Sequence, residues 1–352
     1  MTDIRDLTLE ELREEFKSLG EPAYRAGQAF AWIYRKGATR FDQFTDFPRA
    51  LRGRLEEHFA FGSLEPADIL ASPDGTRKTL FRLEDGEFVE TVLIPSGGRR
   101  TVCASTQVGC KFGCVFCASG LGGFKRDLRP GEIVGQVLSL RDDFEAGLTN
   151  LVFMGMGEPL DNLENLVKAV RILNAPEGMA MAARRMTVST SGIVPGIACL
   201  GALGLQINLS ISLHAADDEK RGRLMPVNRK YPLAALLRAC RDYLAAGGRM
   251  ITFEYVLIRG LNDTAADAEK LARIAGRLKA KVNLIPFSPV RGLPYAAPDA
   301  SACRGFLARL RGAGIAATLR QSKGRDIQAA CGQLAGVRSQ HSTILERRIV
   351  EK

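Results

Sequence analysis

Helical spacing of apolar residues opens the chain. TLEELREEFKS (8–18) begins with a capping box, Thr8 followed three later by Glu11. The same spacing continues through AGQAFAWIYRKG and FPRALRGRLEEHF, so residues 1–62 are expected to form a small helical module with Trp32 in its core. From 76 to 95 the pattern changes to TLFRLEDGEFVETVLIP, two strands joined by Asp85-Gly86, a strong two-residue hairpin signal. Residues 63–98 are therefore expected to be a hairpin extension.

Strand-like and helix-like runs then alternate. The predicted strands are LVFMGM (151–156), MTVSTS (186–191), INLSISLH (207–214), ITFEYVLI (251–258), VNLIPF (282–287) and AATLRQS (316–322). Helical patterns such as GEIVGQVLSLRDDF, LENLVKAVRILN, LAALLRACRDYLAA and ADAEKLARIAGRLKA separate them. This alternation predicts an α/β fold with a parallel sheet. Six units are too few for a full eight-fold barrel, so residues 99–335 are expected to be a partial (β/α)6 barrel, with 336–352 a helical tail. Such a barrel places its site at the C-terminal strand ends. Small or functional residues fall there: GMGEP, STSG, SLHA and IPFSP.

Composition narrows the class. The 352 residues are 46% hydrophobic and 25% charged, with no low-complexity run, which predicts a buried core. The N-terminal stretch mixes acids and bases, and no apolar run approaches membrane-span length. The expected setting is soluble and cytoplasmic, with no membrane partner. The net charge is +10, with basic clusters at 99–100, 125–129, 184–185, 220–230 and 346–348. A polyanion such as RNA would meet patches on a folded surface rather than a basic tail.

Eight cysteines are too sparse for a disulfide scaffold, and four of them lie between 103 and 117. Cys199, Cys240 and Cys303 sit in helical apolar surroundings and read as core fillers. Within VGCKFGCVFCASG (108–120), Cys110, Cys114 and Cys117 are spaced C-x3-C-x2-C. Three thiolates can hold three irons of a [4Fe–4S] cube and leave the fourth iron open. A four-cysteine zinc site recruiting Cys103 is the competing arrangement.

CKFGCVFC resembles the signature of radical S-adenosylmethionine enzymes, and GMGEP resembles the motif by which they contact the methionine amino group. In order, VETVLIP, TVCASTQVGC, FMGMGEPL, VSTSG, SISLHA, VNLIPF and DIQAACGQLAG resemble the ribosomal RNA adenine-C2 methyltransferases over nearly the whole chain. The barrel would then be a radical-SAM barrel. The resemblance implies methylation of adenine C2 in 23S ribosomal RNA, and in transfer RNA for many bacterial members, at two S-adenosylmethionines per turnover. Adenine C2 is electron-poor and offers no lone pair, so a radical route makes chemical sense.

In the implied mechanism one S-adenosylmethionine methylates Cys331. A second is cleaved reductively at the iron held by Cys110, Cys114 and Cys117, and the 5′-deoxyadenosyl radical takes hydrogen from the methylated Cys331. The resulting carbon radical adds to C2. Cys103 resolves the adduct through a transient disulfide with Cys331, and Glu90 is the implied proton acceptor. Read without the resemblance, Cys103 is a strand cysteine, Cys331 packing, Glu90 a hairpin-surface carboxylate and His214 a core histidine. Gly157 and Glu158 would meet the methionine end of the cofactor. Ser189, Ser212, Leu213 and His214 would contact ribose, carboxylate or adenine. Ser288 stands where the family pattern has asparagine and loses the paired geometry of an amide. The resemblance also implies a flavodoxin or ferredoxin as electron donor and a monomer. The related adenine-C8 enzymes share the cluster and both catalytic cysteines; a zinc-stabilised RNA-binding protein is the alternative from another class.

Overall fold

The structure, a computed structural model, describes residues 1–141 and 147–336. Apart from Gly336, the expected helical tail lies outside the described residues, as does the basic cluster at 346–348.

The expected helical module is present. Helices span Leu9–Ser18, Ala23–Ala31 (continued as a π-turn to Lys36) and Arg49–His58. The Thr8/Glu11 capping box is closed by bonds of 2.8 and 3.3 Å. Two short strands, Thr2–Asp3 (β1) and Phe59–Ala60 (β2), pair in parallel and tie the two ends of the module together. Trp32 is not in its core. It is half-buried at the rim, stacked on Phe44, with Nε1 donating to Asp46 at 2.6 Å and the Lys36 ammonium 3.4 Å above the ring. An indole with a donor to satisfy settles where one edge reaches a polar partner.

Next come Leu64–Ala71 (β3), Arg77–Leu83 (β4), Phe88–Ser96 (β5) and Arg99–Cys103 (β6), each antiparallel to the one before. The Asp85-Gly86 turn joins β4 to β5 as expected. β3 is an edge strand broken by a bulge at Pro66, and its largely exposed pattern hid it from periodicity. Gln107–Gly109 (β7) and Phe124–Asp127 (β8) form a separate two-stranded pair. Asn150–Phe153 (β9), Met186–Thr190 (β10), Asn208–Ser212 (β11), Ile251–Leu257 (β12), Lys281–Pro286 (β13) and Ala317–Leu319 (β14) are the six strands the alternation predicts.

These six run parallel, and β6 joins them as a seventh. The order is β14-β13-β12-β11-β10-β9-β6-β5-β4-β3, so each parallel strand lies beside its predecessor and the sheet stays open at β14 and β3. This is a partial barrel, and the hairpin strands continue its sheet through β6. Helices cover its outer face, and one apolar core runs from Ile4 to Leu334. β10 and β12 are buried at all but one position each, as expected of parallel strands covered on both faces. Among the described residues no helix is long and apolar enough to cross a membrane. Cys240 and Cys303 are buried as expected, but Cys199 is exposed, because its position falls on the outer face of the helix Val194–Ala202.

Candidate active site

The β7–β8 pair forms the base of the cysteine loop. Gly109, at φ +75°, presses against the Gly123 carbonyl, which accepts the Cys110 N–H at 3.0 Å. The Cys117 N–H donates to the Cys114 carbonyl (3.1 Å), a turn that aims both thiols to one side. Phe112, Val115 and Phe116 seat the loop on an apolar patch of Leu224, Met225, Val227, Val256 and Ile258. The three thiols line one cavity.

Burial and their mutual repulsion push these thiols up, Cys110 to about 12 and Cys114 well above its ordinary value, so the bare trio is protonated and a cation is needed to hold it as thiolates. Among the described residues no three His, Cys, Asp or Glu side chains converge closely enough to wrap a single ion. Three thiols on one short loop, lining a cavity shared with polar strand ends, are a donor set that can take three irons of a cluster and leave the fourth facing the cavity.

Strand ends build the facing wall. At Gly157 (φ +96°) an added Cβ would lie 2.5 Å from the Gln107 Cβ, and at Gly155 it would lie 2.7 Å from the Ser105 Oγ. GMG thus lets the chain leaving β9 lie flat against residues 104–107, which follow β6. Glu158 accepts N–H bonds from Ser191 (2.7 Å) and Leu160 (3.1 Å), while its own N–H donates to Gln107. Burial raises its carboxyl above the ordinary range, and those donors pull it back.

His214 is held at φ +54° with its ring edge-on to Phe116. Its Nδ1 accepts the Val256 N–H at 3.0 Å, and burial first, then the Arg221 charge, lowers it to about 3. The ring is neutral and carries its proton on Nε2. Ser189 and Ser212 line the same cavity. Among the described residues Ser191 Oγ and Glu254 Oε2 have no hydrogen-bond partner and are buried on this wall, where a ligand rich in ammonium, carboxylate and hydroxyl groups would satisfy them.

Two expected contacts lie elsewhere. The Leu213 side chain packs into the main core, and the residue precedes His214 in the chain. Ser288 is buried with Oγ unpaired, but it is not on the cavity wall. Sequence reasoning missed Arg221, which is fully buried. Its guanidinium donates to the carbonyls of Ser191 (2.6 Å), Leu213 (3.2 Å) and Ser212 (3.3 Å) and to Asn228 Oδ1 (2.7 Å), tying two strand ends together. Its only sequence signal is a basic cluster, which reads as solvated surface.

A second, smaller cavity adjoins the first and is lined by Cys103, Arg320, Lys323 and Ala330 among others. Cys331 lines both. The Cys331 thiol is exposed and takes a long contact from Arg320 at 3.8 Å. Cys103 is buried, and burial, with a smaller contribution from Cys331, pushes it up to about 12.

Glu90 is no hairpin-surface carboxylate. It is 2% exposed, paired with Lys78 at 2.7 Å, and its Oε2 accepts the N–H groups of Ala335 (2.6 Å) and Gly336 (3.0 Å). Lys78 also donates to the Gln328 carbonyl. From the other side, the Ala118 N–H and Ser119 Oγ each donate at 2.7 Å, to the carbonyls of Gly332 and Leu334. The hairpin and the cysteine loop therefore grip the Cys331 loop between them.

Residues 104–273 match the radical SAM superfamily, and residues 2–61 match the ribosomal RNA large subunit methyltransferase N-terminal domain. The dual-specificity RNA methyltransferase RlmN of Pelobacter propionicus is 45% identical over 95% of this chain and 96% of its own. That of Syntrophus aciditrophicus is 47% identical, also over 95% of this chain and 96% of its own. The crystal structure of a radical SAM methyltransferase from Sphaerobacter thermophilus superposes with a TM-score of 0.92 at 47% identity, covering 96% of this chain and all of that one.

Proposed function

This chain belongs to the RlmN family of dual-specificity RNA methyltransferases within the radical SAM superfamily, and from that premise we propose that it methylates C2 of a specific adenine in 23S ribosomal RNA and in transfer RNA. It is an enzyme of one-carbon transfer, and its superfamily implies a [4Fe–4S] cluster and S-adenosylmethionine. The observation that carries the reading is the position of Cys331, on a wall common to the cavity of the three cysteines and the cavity of Cys103.

When bound, the cluster and S-adenosylmethionine supply reductive one-electron cleavage of a carbon–sulfur bond, the chemistry that can take hydrogen from an unactivated methyl group. Cys110, Cys114 and Cys117 would each ligate one iron. Gly157, Glu158, Ser189, Ser212 and the neutral His214 would hold the cofactor against them. Leu213 serves by setting His214, and Ser288 stays behind the wall.

Cys331 Sγ accepts a methyl group, yields one of its hydrogens toward the first cavity and joins the carbon to C2 of a base in the second. Once C2 has given up its proton and the adduct has returned one electron to the redox partner, the Cys103 thiolate bonds to Cys331 Sγ as the carbon–sulfur bond breaks. The released methylene takes up a proton to become the methyl group, the methylated base leaves, and two electrons from the redox partner reduce the disulfide. Glu90 is the acceptor for the C2 proton. Its Oε2 must first be released by Ala335 and Gly336, so proton removal and movement of the Cys331 loop would be one event. The enzyme would act in the cytoplasm as a monomer, reduced by a flavodoxin or ferredoxin. Incubation of the iron-loaded protein with 23S ribosomal RNA and transfer RNA, followed by nucleoside mass spectrometry, should yield 2-methyladenosine. 8-Methyladenosine, or no methylated adenosine, would overturn the assignment.

A further inference from the structure

The second cavity leads outward. Lys323 lines it near Cys103 and Cys331, and also lines an open surface notch whose other walls include Ser96, Gly97, Gly98, Arg99 and Arg100. Gly97 (φ +52°) and Gly98 (φ +76°) form the two-residue turn between β5 and β6, since Ser96 pairs with Arg99 across it. Successive left-handed positions are what such a turn demands, and glycine adopts them without strain. A Cβ at either glycine would meet nothing within 4 Å, so the backbone of the turn is open to close approach.

The charge around this turn is of one sign. Arg99 is exposed and Lys323 half-buried; among the described residues neither side chain makes a hydrogen bond or an ion pair. Arg100 is different, because its Nε is spent on the Gly147 carbonyl. Asp74, whose carboxyl lies in the field of Lys323, already takes the N–H groups of Thr76 (2.9 Å) and Gly324 (3.0 Å). β6 carries Arg99 at its outer end and Cys103 at its inner end. Four residues of strand span about 13 Å, a reach that one nucleotide with its flanking phosphate can bridge.

We propose that this notch is a phosphate subsite. It holds a backbone phosphate next to the nucleotide being modified, with Arg99 and Lys323 supplying charge and the Gly97–Gly98 turn admitting the phosphate to the backbone. The nucleotide itself is unstacked, its base reaching inward between Cys103 and Cys331. This inference rests on the reading that the substrate is RNA. Phosphate contacts set register and orientation without reading sequence, which is what a buried reaction at one base edge needs.

The test uses the full, iron-loaded chain and measures its Kd for 23S ribosomal RNA and transfer RNA across a salt series. The variants are Arg99→Gln, Lys323→Gln and the pair together. Arg273→Gln, on the exposed side of the helix Ala265–Leu278, removes the same charge elsewhere. Each notch variant should bind more weakly at low salt, and the slope of log affinity against log salt should fall by about 0.7–0.9 per contact removed. Arg273→Gln should keep the wild-type slope and wild-type cofactor cleavage.

Wild-type methylation with wild-type slopes in both notch variants would overturn the subsite alone. A wild-type chain that neither binds nor methylates RNA would overturn the subsite and the RNA reading together. Variants that bind RNA normally but are reduced more slowly by an acidic electron-transfer protein would assign the notch to that partner and overturn the phosphate subsite.

Discussion

Two walls meet at Cys331, and they are built differently. On the cofactor side the polar groups are locked: Glu158 by two backbone N–H groups, His214 by the Val256 N–H, and the strand ends by Arg221. On the other side Cys331 is exposed on a loop gripped by Glu90, Lys78 and the cysteine loop. Chemistry that needs one fixed geometry sits on strand ends. A thiol that must serve two cavities sits on a segment that can exchange a few hydrogen bonds.

The largest effects should separate the two thiols of the second cavity. Cys331→Ala should retain cofactor cleavage yet form no methylated RNA, while Cys103→Ala should accumulate RNA covalently attached to protein, seen as a shifted band on denaturing gels. Release of free methylated RNA by either variant would remove that thiol from its role.

A smaller effect tests the grip on the loop. Lys78→Met leaves the buried Glu90 without its cation, which should cost about 3–5 kcal/mol in urea unfolding. Adding Glu90→Gln should restore part of it. A Lys78→Met protein as stable as wild type would mean the pair does not hold the loop.

The locked side should show itself in acid. His214 is depressed from 6.5 to about 3, so the unfolded chain takes up a proton that the folded chain refuses. Its stabilising contribution is full above 6.5 and is lost as pH falls from there towards 3, at up to about 1.4 kcal/mol per pH unit. His214→Gln should flatten that part of the pH–stability curve; an unchanged slope would mean the ring is not held neutral. The mildest test leaves function aside: brief alkylation should label Cys331 well before Cys103, which is buried and pushed up to about 12. Equal labelling would contradict the contrast in burial.

Much of this was legible in the chain because local spacing carries it. C-x3-C-x2-C places three thiols on one short loop, Asp85-Gly86 makes a hairpin, and the small residues after each apolar run mark the strand ends that line the cofactor cavity. Signals failed where the local pattern and the environment disagree. Pro66 and a polar face masked β3, and Arg221 looked like surface charge although it is wholly buried. Cys199 and Trp32 carried apolar neighbours but lie at the outside and the rim.

The sequence by itself determined the Asp85-Gly86 hairpin, the six strands alternating with helices and the cysteine loop, because periodicity and turn chemistry act over a few residues. Only the tertiary structure decided that Glu90 is an internal anchor, that Leu213 and Ser288 stand behind the cofactor wall, and that Cys331 divides two cavities with Cys103 on the far side. Those facts depend on groups more than two hundred residues apart being brought together, and packing and desolvation act across space with no trace in local spacing.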